Sequence, residues 1–313
     1  VLVIVAPGQG AQTPGFLSPW LEDPACAARL GWLSAVAGLD LAHHGTEADE
    51  DTIRDTKVAQ PLLVASALLA AGRLGAAPAA VAGHSVGEIA AAVAAGVLSD
   101  EQAMVLVRER GRAMADAAAV TPTGMTAVLG GDRDEVLAAI EEHGLTPAND
   151  NGPGQIVAAG TLEQLEAFAA AAPKGARPRP LSVAGAFHSP HMAPAVDHVT
   201  ALAAAVTVAD ARVPFITNSD GSVLEDGREV LDRIVGQIAR PVRWDLCLER
   251  MADLGVTGLL ELPPSGTLTG IAKRWFRGRD LAVETFSLDN PDQLEEARAF
   301  CEKHATADQV VPA

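Results

Sequence analysis

Two kinds of apolar pattern alternate along the 313-residue chain: short unbroken runs, and longer stretches with helical spacing. Val1 to Ala6 is a β-branched, continuous run that stops at Pro7, Gly8, Gln9 and Gly10, which predicts a buried strand ending in a glycine-rich turn. Val58 to Leu74 reads as a helix, Ala79 to Ala82 as a short strand leading into Gly83, and Glu88 to Ala95 as a helix. Ser99, Asp100, Glu101, Gln102 has the form of a capping box, so a helix is expected from Asp100 to Ala118, ended by Pro122 and Gly124.

From Thr123 to Ala186 the pattern changes. Met125 to Leu129, Pro147 to Asn149, Gln155 to Ala159 and Pro178 to Ala184 read as extended, while Asp132 to His143 and Thr161 to Ala172 read as helical. The order β-α-β-β-α-β is the ferredoxin-like arrangement, so residues 123–186 are expected to form an inserted subdomain within a core of 1–122 and 187–313. Helices are expected over Pro194 to Val206, Val230 to Ala239 and Trp244 to Leu254, strands over Ala211 to Asn218 and Gly258 to Leu262, and a peripheral tail after Asn290.

Composition narrows the class. Apolar residues make up 49% of the chain, but Tyr is absent and aromatics are scarce, which favours closely packed helices in an α/β fold over an all-β sandwich. The net charge of −17 argues against nucleic acid and anionic lipid as partners. A local basic patch remains open to Arg177, Arg179, Arg240, Arg243, Lys273, Arg274, Arg277 and Arg279 if the fold gathers them. Cys26, Cys247 and Cys301 lie too far apart for a short zinc motif, and their odd number does not suit a disulfide framework. No metal or redox cofactor is expected. The opening apolar run is too short for a secretory core or a membrane span, so a cytoplasmic location is expected, with no membrane partner.

Gly83, His84, Ser85, Val86, Gly87 matches G-x-S-x-G, in which a nucleophilic serine sits on a sharp strand-to-helix turn. Such a turn offers a backbone N–H from Val86 as one oxyanion donor, and Gln9 between two glycines is the candidate for the second. Arg110 has Ala103, Leu106, Val107, Ala113 and Met114 as its helical neighbours, so it points at the core. A buried guanidinium needs a carboxylate from the protein or from a ligand. Arg108 and Arg112 share a polar side and are expected in solvent. Among eight histidines, His188 and His191 follow the last subdomain strand, at a crossover where clefts form. His188 is preferred as the base and His191 remains its rival. No Asp or Glu stands out to orient it, which leaves a backbone carbonyl for that task.

Taken together, PGQGAQ from Pro7, GHSVGE from Gly83, RERG around Arg110, NGPGQ from Asn151, AFHS from Ala186 and QIARPVRW from Gln237 resemble the malonyl-CoA:acyl carrier protein transacylases of fatty acid and polyketide synthesis. The resemblance implies an α/β-hydrolase-like core with a ferredoxin-like insert. It implies ping-pong transfer of malonyl through an ester on Ser85 to the phosphopantetheine thiol of an acyl carrier protein, CoA thioester and phosphopantetheine being substrates rather than cofactors. It further implies His188 as base and acid, the Gln237 backbone carbonyl as its orienting group, Gln9 and Val86 as oxyanion donors, and Arg110, Phe187 and Asn151 in substrate binding. Val86 and Phe187 match malonyl-selective relatives, although one methyl group is worth only about 1 to 3 kcal/mol in a pocket. Gly185 departs from the His of many polyketide synthase relatives. The chain length suits the discrete enzyme of a dissociated system. Two rivals stand beside this reading: a serine hydrolase, which needs no buried Arg, and a non-catalytic carrier-docking subunit, which needs neither Ser85 nor His188. A phosphate-loop reading of PGQG fails because no Gly-Lys-Ser/Thr follows.

Overall fold

The computed structural model describes residues 1–305. In chain order, β1 (Leu2–Ala6), α1 (Ser18–Leu21), α2 (Pro24–Ala37), α3 (Leu41–Thr46), α4 (Glu50–Arg54) and α5 (Thr56–Leu74) lead to β2 (Ala80–Gly83), α6 (Gly87–Ala95) and α7 (Asp100–Ala118). Next come β3 (Thr123–Leu129), α8 (Arg133–Glu142), β4 (Thr146–Asp150), β5 (Gln155–Thr161), α9 (Leu162–Ala170) and β6 (Arg177–Pro180). The chain continues through α10 (Ala193–Ala203), β7 (Phe215–Ile216), β8 (Val223–Leu224), α11 (Gly227–Gly236), β9 (Val242–Arg243) and α12 (Trp244–Asp253). It closes with β10 (Gly258–Glu261), α13 (Thr267–Arg277), β11 (Glu284–Ser287) and α14 (Leu294–His304).

The fold is mixed α/β with two sheets. The larger has the order β11-β10-β1-β2-β7-β8, parallel except for β8. Its central strand explains the unbroken apolar run: Leu2, Ile4 and Ala6 pack into one core, Val3 and Val5 into a second on the opposite face. Helix α5 belongs to the first core. It is long and apolar enough to cross a membrane by length and composition, yet 72% of it is enclosed by protein, so tertiary packing accounts for its hydrophobicity. The capping box of α7 is formed as expected, Ser99 accepting from the Gln102 N–H and the Gln102 side chain accepting from the Ser99 N–H.

The smaller sheet has the order β6-β3-β5-β4-β9, with a separate core of Val128, Val136, Ile140, Ile156, Leu165 and Phe168 under α8 and α9. Its first four strands come from residues 123–186. The fifth, β9, comes from beyond that segment and runs parallel to β4, tying the two halves of the chain together.

Three expectations need correction. The strand expected over Ala211 to Asn218 shrinks to Phe215–Ile216, because the N–H groups of Ala211 and Arg212 bond to Glu225 and Ala95 instead of to a neighbouring strand. The extended Pro178 to Ala184 bonds β3 only as far as Leu181, whose N–H reaches the Met125 carbonyl; beyond it the Val183 N–H turns back to Leu181. The tail after Asn290 is not peripheral: α14 buries Leu294, Ala297, Cys301 and His304, and Cβ of any side chain at Gly258 would collide with His304. Cys301→Asp would place an unpaired carboxylate in this packed face, a cost on the order of 3 kcal/mol. Thermal unfolding followed by circular dichroism should show Tm lowered by about 5 °C or more, with Glu302→Gln on the exposed face as the unchanged control.

Candidate active site

The parallel strands β1 and β2 are neighbours in register, Ala6 opposite Gly83, so the Gly8-Gln9-Gly10 turn and the Ser85 turn emerge side by side at their carboxyl ends. That edge of a parallel sheet is where open α/β folds bind ligands. Ser85 sits at φ +53°, a left-handed conformation that a non-glycine residue rarely adopts and that the surrounding structure must hold. The turn is tight enough that a Cβ on Gly87 would strike the Ala6 and Pro7 carbonyls, which accounts for glycine there.

His188, also at positive φ (+58°), brings Nε2 to 2.7 Å from Ser85 Oγ. Its Nδ1 lies 2.7 Å from the Gln237 backbone carbonyl, which can only accept, so Nδ1 carries the proton and Nε2 is left free to take one from the serine. The orienting group is therefore a carbonyl, as the lack of a suitable acid in the sequence suggests. The imidazole is buried, and burial, followed by the charge of Arg110, depresses it to about 3. It is neutral at physiological pH. His191 does not border the cleft, and His43, His143, His198 and His304 bond elsewhere.

Arg110 is 1% exposed, as its helical neighbours predict. Its two terminal nitrogens bond to neutral amide oxygens, Nη1 to Gln60 at 2.7 Å and Nη2 to Gln237 at 2.8 Å, and Nη2 lies 3.4 Å from Ser85 Oγ. Its Nε has no partner among the described residues, and no described carboxylate lies within ion-pair distance of it. Burial lowers the guanidinium to about 10, still protonated at neutral pH. The result is a positive charge beside the serine, enclosed and lacking a direct counter-ion. Arg108 and Arg112, by contrast, pair with Glu109 near the surface.

A cleft of about 250 Å³ opens over Ser85 and His188, bordered by Gln9, Gln60, Val86, Asn151 and Phe187; Arg110 is not on its lining but bonds Gln60 and lies beside Ser85, which are. The backbone N–H groups of Gln9 and Val86 have no acceptor among the described residues, which leaves both available to a ligand oxygen. Asn151 takes a bond from His84 Nε2 (2.9 Å), and the His84 ring meets Trp244 edge-on. His84, expected on the opposite side from Ser85, thus borders the same cleft. Phe187 is held by a bond from the Ala186 N–H to Thr123 Oγ1 on one flank and by Ser189 Oγ to the Ala186 carbonyl on the other. At Gly185 a Cβ would come 2.5 Å from that of Ala118, so α7 leaves no room for a side chain there.

The eight cations do not form one patch. Arg177 and Arg179 lie on β6 and Arg243 on β9, the opposite edges of a five-stranded sheet and therefore roughly 19 Å apart. Arg243 is occupied by Asp245, and Arg279 by Glu249 and the Trp275 ring. Lys273, Arg274 and Arg277 do share the exposed side of α13, whose Thr267 and Ile271 border the cleft.

Three groups in the site escaped sequence reasoning: Gln60, the Gln237 side chain and Glu88. Gln60 and Glu88 carry the same signal as Arg110, a polar residue inside an apolar helix, but an amide and a first-turn carboxylate are commonly met by local bonds, whereas a guanidinium demands a carboxylate.

Comparison with known proteins follows from this geometry. The profile of the acyl transferase domain family matches residues 3–309. The malonyl CoA-acyl carrier protein transacylase of Mycobacterium tuberculosis H37Rv is 47% identical over 302 residues, covering 95% of this chain and 99% of that one. The crystal structure of MCAT from Mycobacterium tuberculosis superimposes with a TM-score of 0.91 over the same shares of the two chains, at 47% identity. A type II PKS acyl-carrier protein in complex with its malonyl-transacylase gives 0.88 at 30% identity, covering 95% of this chain and 99% of that one.

A serine-directed fluorophosphonate should label Ser85 selectively, and His188→Ala should slow labelling by about 100-fold or more; peptide mass mapping and the rate of label incorporation check both.

Proposed function

The chain belongs to the acyl transferase family, and on that premise we propose that it moves a malonyl group from malonyl-CoA to the phosphopantetheine thiol of an acyl carrier protein. It is an acyltransferase. The observation that carries the substrate assignment is the enclosed Arg110 guanidinium, without a carboxylate of its own and 3.4 Å from Ser85 Oγ. A hydrolase of simple esters has no use for it.

In the first half-reaction, Ser85 Oγ attacks the thioester carbonyl while its proton passes to His188 Nε2. The Gln9 and Val86 N–H groups receive the developing oxyanion, which is worth the most in a site shielded from water. Collapse breaks the C–S bond, and His188 returns the proton to the leaving CoA thiolate. The second half-reaction reverses the roles: the carrier thiol gives its proton to His188, its sulfur attacks the Ser85 ester, and Ser85 recovers the proton. Throughout, Arg110 grips the free carboxylate of malonyl with its planar fork. Phe187 and Asn151 border the acyl site, with Phe187 crowding a branch at the α-carbon. Every step uses groups of the chain and the two substrates, so the reading calls for no resident cofactor.

The strand order β6-β3-β5-β4 with α8 and α9 on one side supports a ferredoxin-like subdomain over 123–186. The parallel sheet with its serine turn supports an α/β-hydrolase-like core from 1–122 and 187–313. A cytoplasmic site of action goes with this reading. Arg110→Ala should lower kcat/KM for malonyl-CoA by roughly 100- to 1,000-fold, the value of two charged hydrogen bonds, while acetyl-CoA changes little. Steady-state kinetics with both thioesters measures it, and equal losses for the two would mean that Arg110 serves only the fold.

A further inference from the structure

Glu88 is a carboxylate enclosed beneath this site, fully buried in the first turn of α6, and none of the steps above uses it. Its Oε1 accepts the Asn218 backbone N–H at 2.6 Å, and its Oε2 accepts Gln237 Nε2–H at 2.9 Å. The second hydrogen of that same nitrogen goes to the Ser85 carbonyl at 2.8 Å. With both hydrogens committed to acceptors, the Gln237 amide has one permitted orientation, which turns its Oε1 to Arg110. The flipped amide would set its NH₂ against the guanidinium and its oxygen against two acceptors. The backbone carbonyl of this same residue holds His188.

We infer that Glu88 is a positioning residue: as a carboxylate it locks the Gln237 amide, and through Gln237 it holds Arg110 for the malonyl carboxylate and His188 for Ser85. This rests on the malonyl-transfer reading. A protonated Glu88 could still accept from both donors, but as neutral hydrogen bonds roughly half as strong as those to the carboxylate, so the ionised form, which Thr217 also bonds, is the one that holds the Gln237 amide firmly. The titratable groups that face it are few. Arg110 on α7 reaches it through Gln237, and the Cys247 thiol on α12, itself pushed well up by burial, lies behind Thr217. Neither offsets the desolvation, and burial pushes the Glu88 carboxyl up to about 7. The sign follows directly: as pH falls through that value Glu88 gains a proton, the lock opens, and malonyl transfer declines. His188, depressed to about 3, stays neutral over the same interval and contributes no such limb.

The test is the pH profile of kcat/KM for malonyl-CoA between about pH 5.5 and 8.5, with acetyl-CoA in parallel, for the wild type and Glu88→Gln. The wild type should show an acidic limb near neutrality. Glu88→Gln should lack that limb, fall about 10- to 100-fold at the plateau, and lose malonyl preference over acetyl. A limb unchanged in the variant, or a wild type without one, would overturn the proposal. If Glu88→Gln does not fold, Gln237→Met carries the test: it keeps the backbone carbonyl on His188 and removes the amide through which Glu88 acts, so the limb should vanish there too, and its persistence would count against the proposal. A wild type that transfers no malonyl at any pH would instead bring down the malonyl reading itself.

Discussion

A guanidinium enclosed without a direct counter-ion among the described residues sets the terms for the rest of this structure. Taking such a charge out of water costs several kcal/mol, and Arg110 recovers only part of that from two amide oxygens. On the proposed reading, a ligand carboxylate completes what the protein leaves unfinished, and the incompleteness that costs stability confers selectivity, because a neutral acyl group brings nothing to the fork. Had evolution placed a glutamate at position 60 or 237, the charge would be neutralised and the site closed to an anionic acyl group.

Holding that charge beside a serine requires several distant segments to meet. α5 contributes Gln60, α7 contributes Arg110, the β2–α6 turn contributes Ser85, the first turn of α6 contributes Glu88, and the turn after α11 contributes Gln237. Ser85 and His188, the residues proposed to exchange the proton, both sit in left-handed backbone conformations, so the surrounding packing must over-determine them. Gln237 is the joint: one residue bonds His188, Arg110, Ser85 and Glu88. A network this densely bonded around Gln237 is stiff, and stiffness is what positions a nucleophile within hydrogen-bond distance of its base.

Much of this was legible in the sequence, for reasons specific to each residue. Ser85 announced itself because the turn needs glycines on both sides, and Arg110 because a guanidinium amid five apolar neighbours demands a carboxylate, from the protein or from a ligand. The α7 cap and the β1 run are local patterns, written within a few residues. What stayed hidden was relational. Whether Gln237 offers its carbonyl, its amide or both depends on how a turn after α11 meets a strand end 150 residues earlier in the chain. The stripe Leu294, Ala297, Cys301, His304 has helical spacing, but its modest apolarity made α14 look like a tail. β7 misled in the opposite way: an apolar stretch read as a long strand spends its first N–H groups on the end of α6 and the turn after β8 instead.

The central claim is that Ser85 carries malonyl as an ester because Arg110 receives its carboxylate. Intact mass after mixing the protein with malonyl-CoA, and separately with acetyl-CoA, addresses it directly. The account predicts a single malonyl adduct per chain, mapped to Ser85, absent from Ser85→Ala, and far scarcer with acetyl-CoA. Release of free CoA with no adduct would contradict it and favour hydrolysis, and neither adduct nor CoA release would leave a fold that docks a carrier without acylating itself.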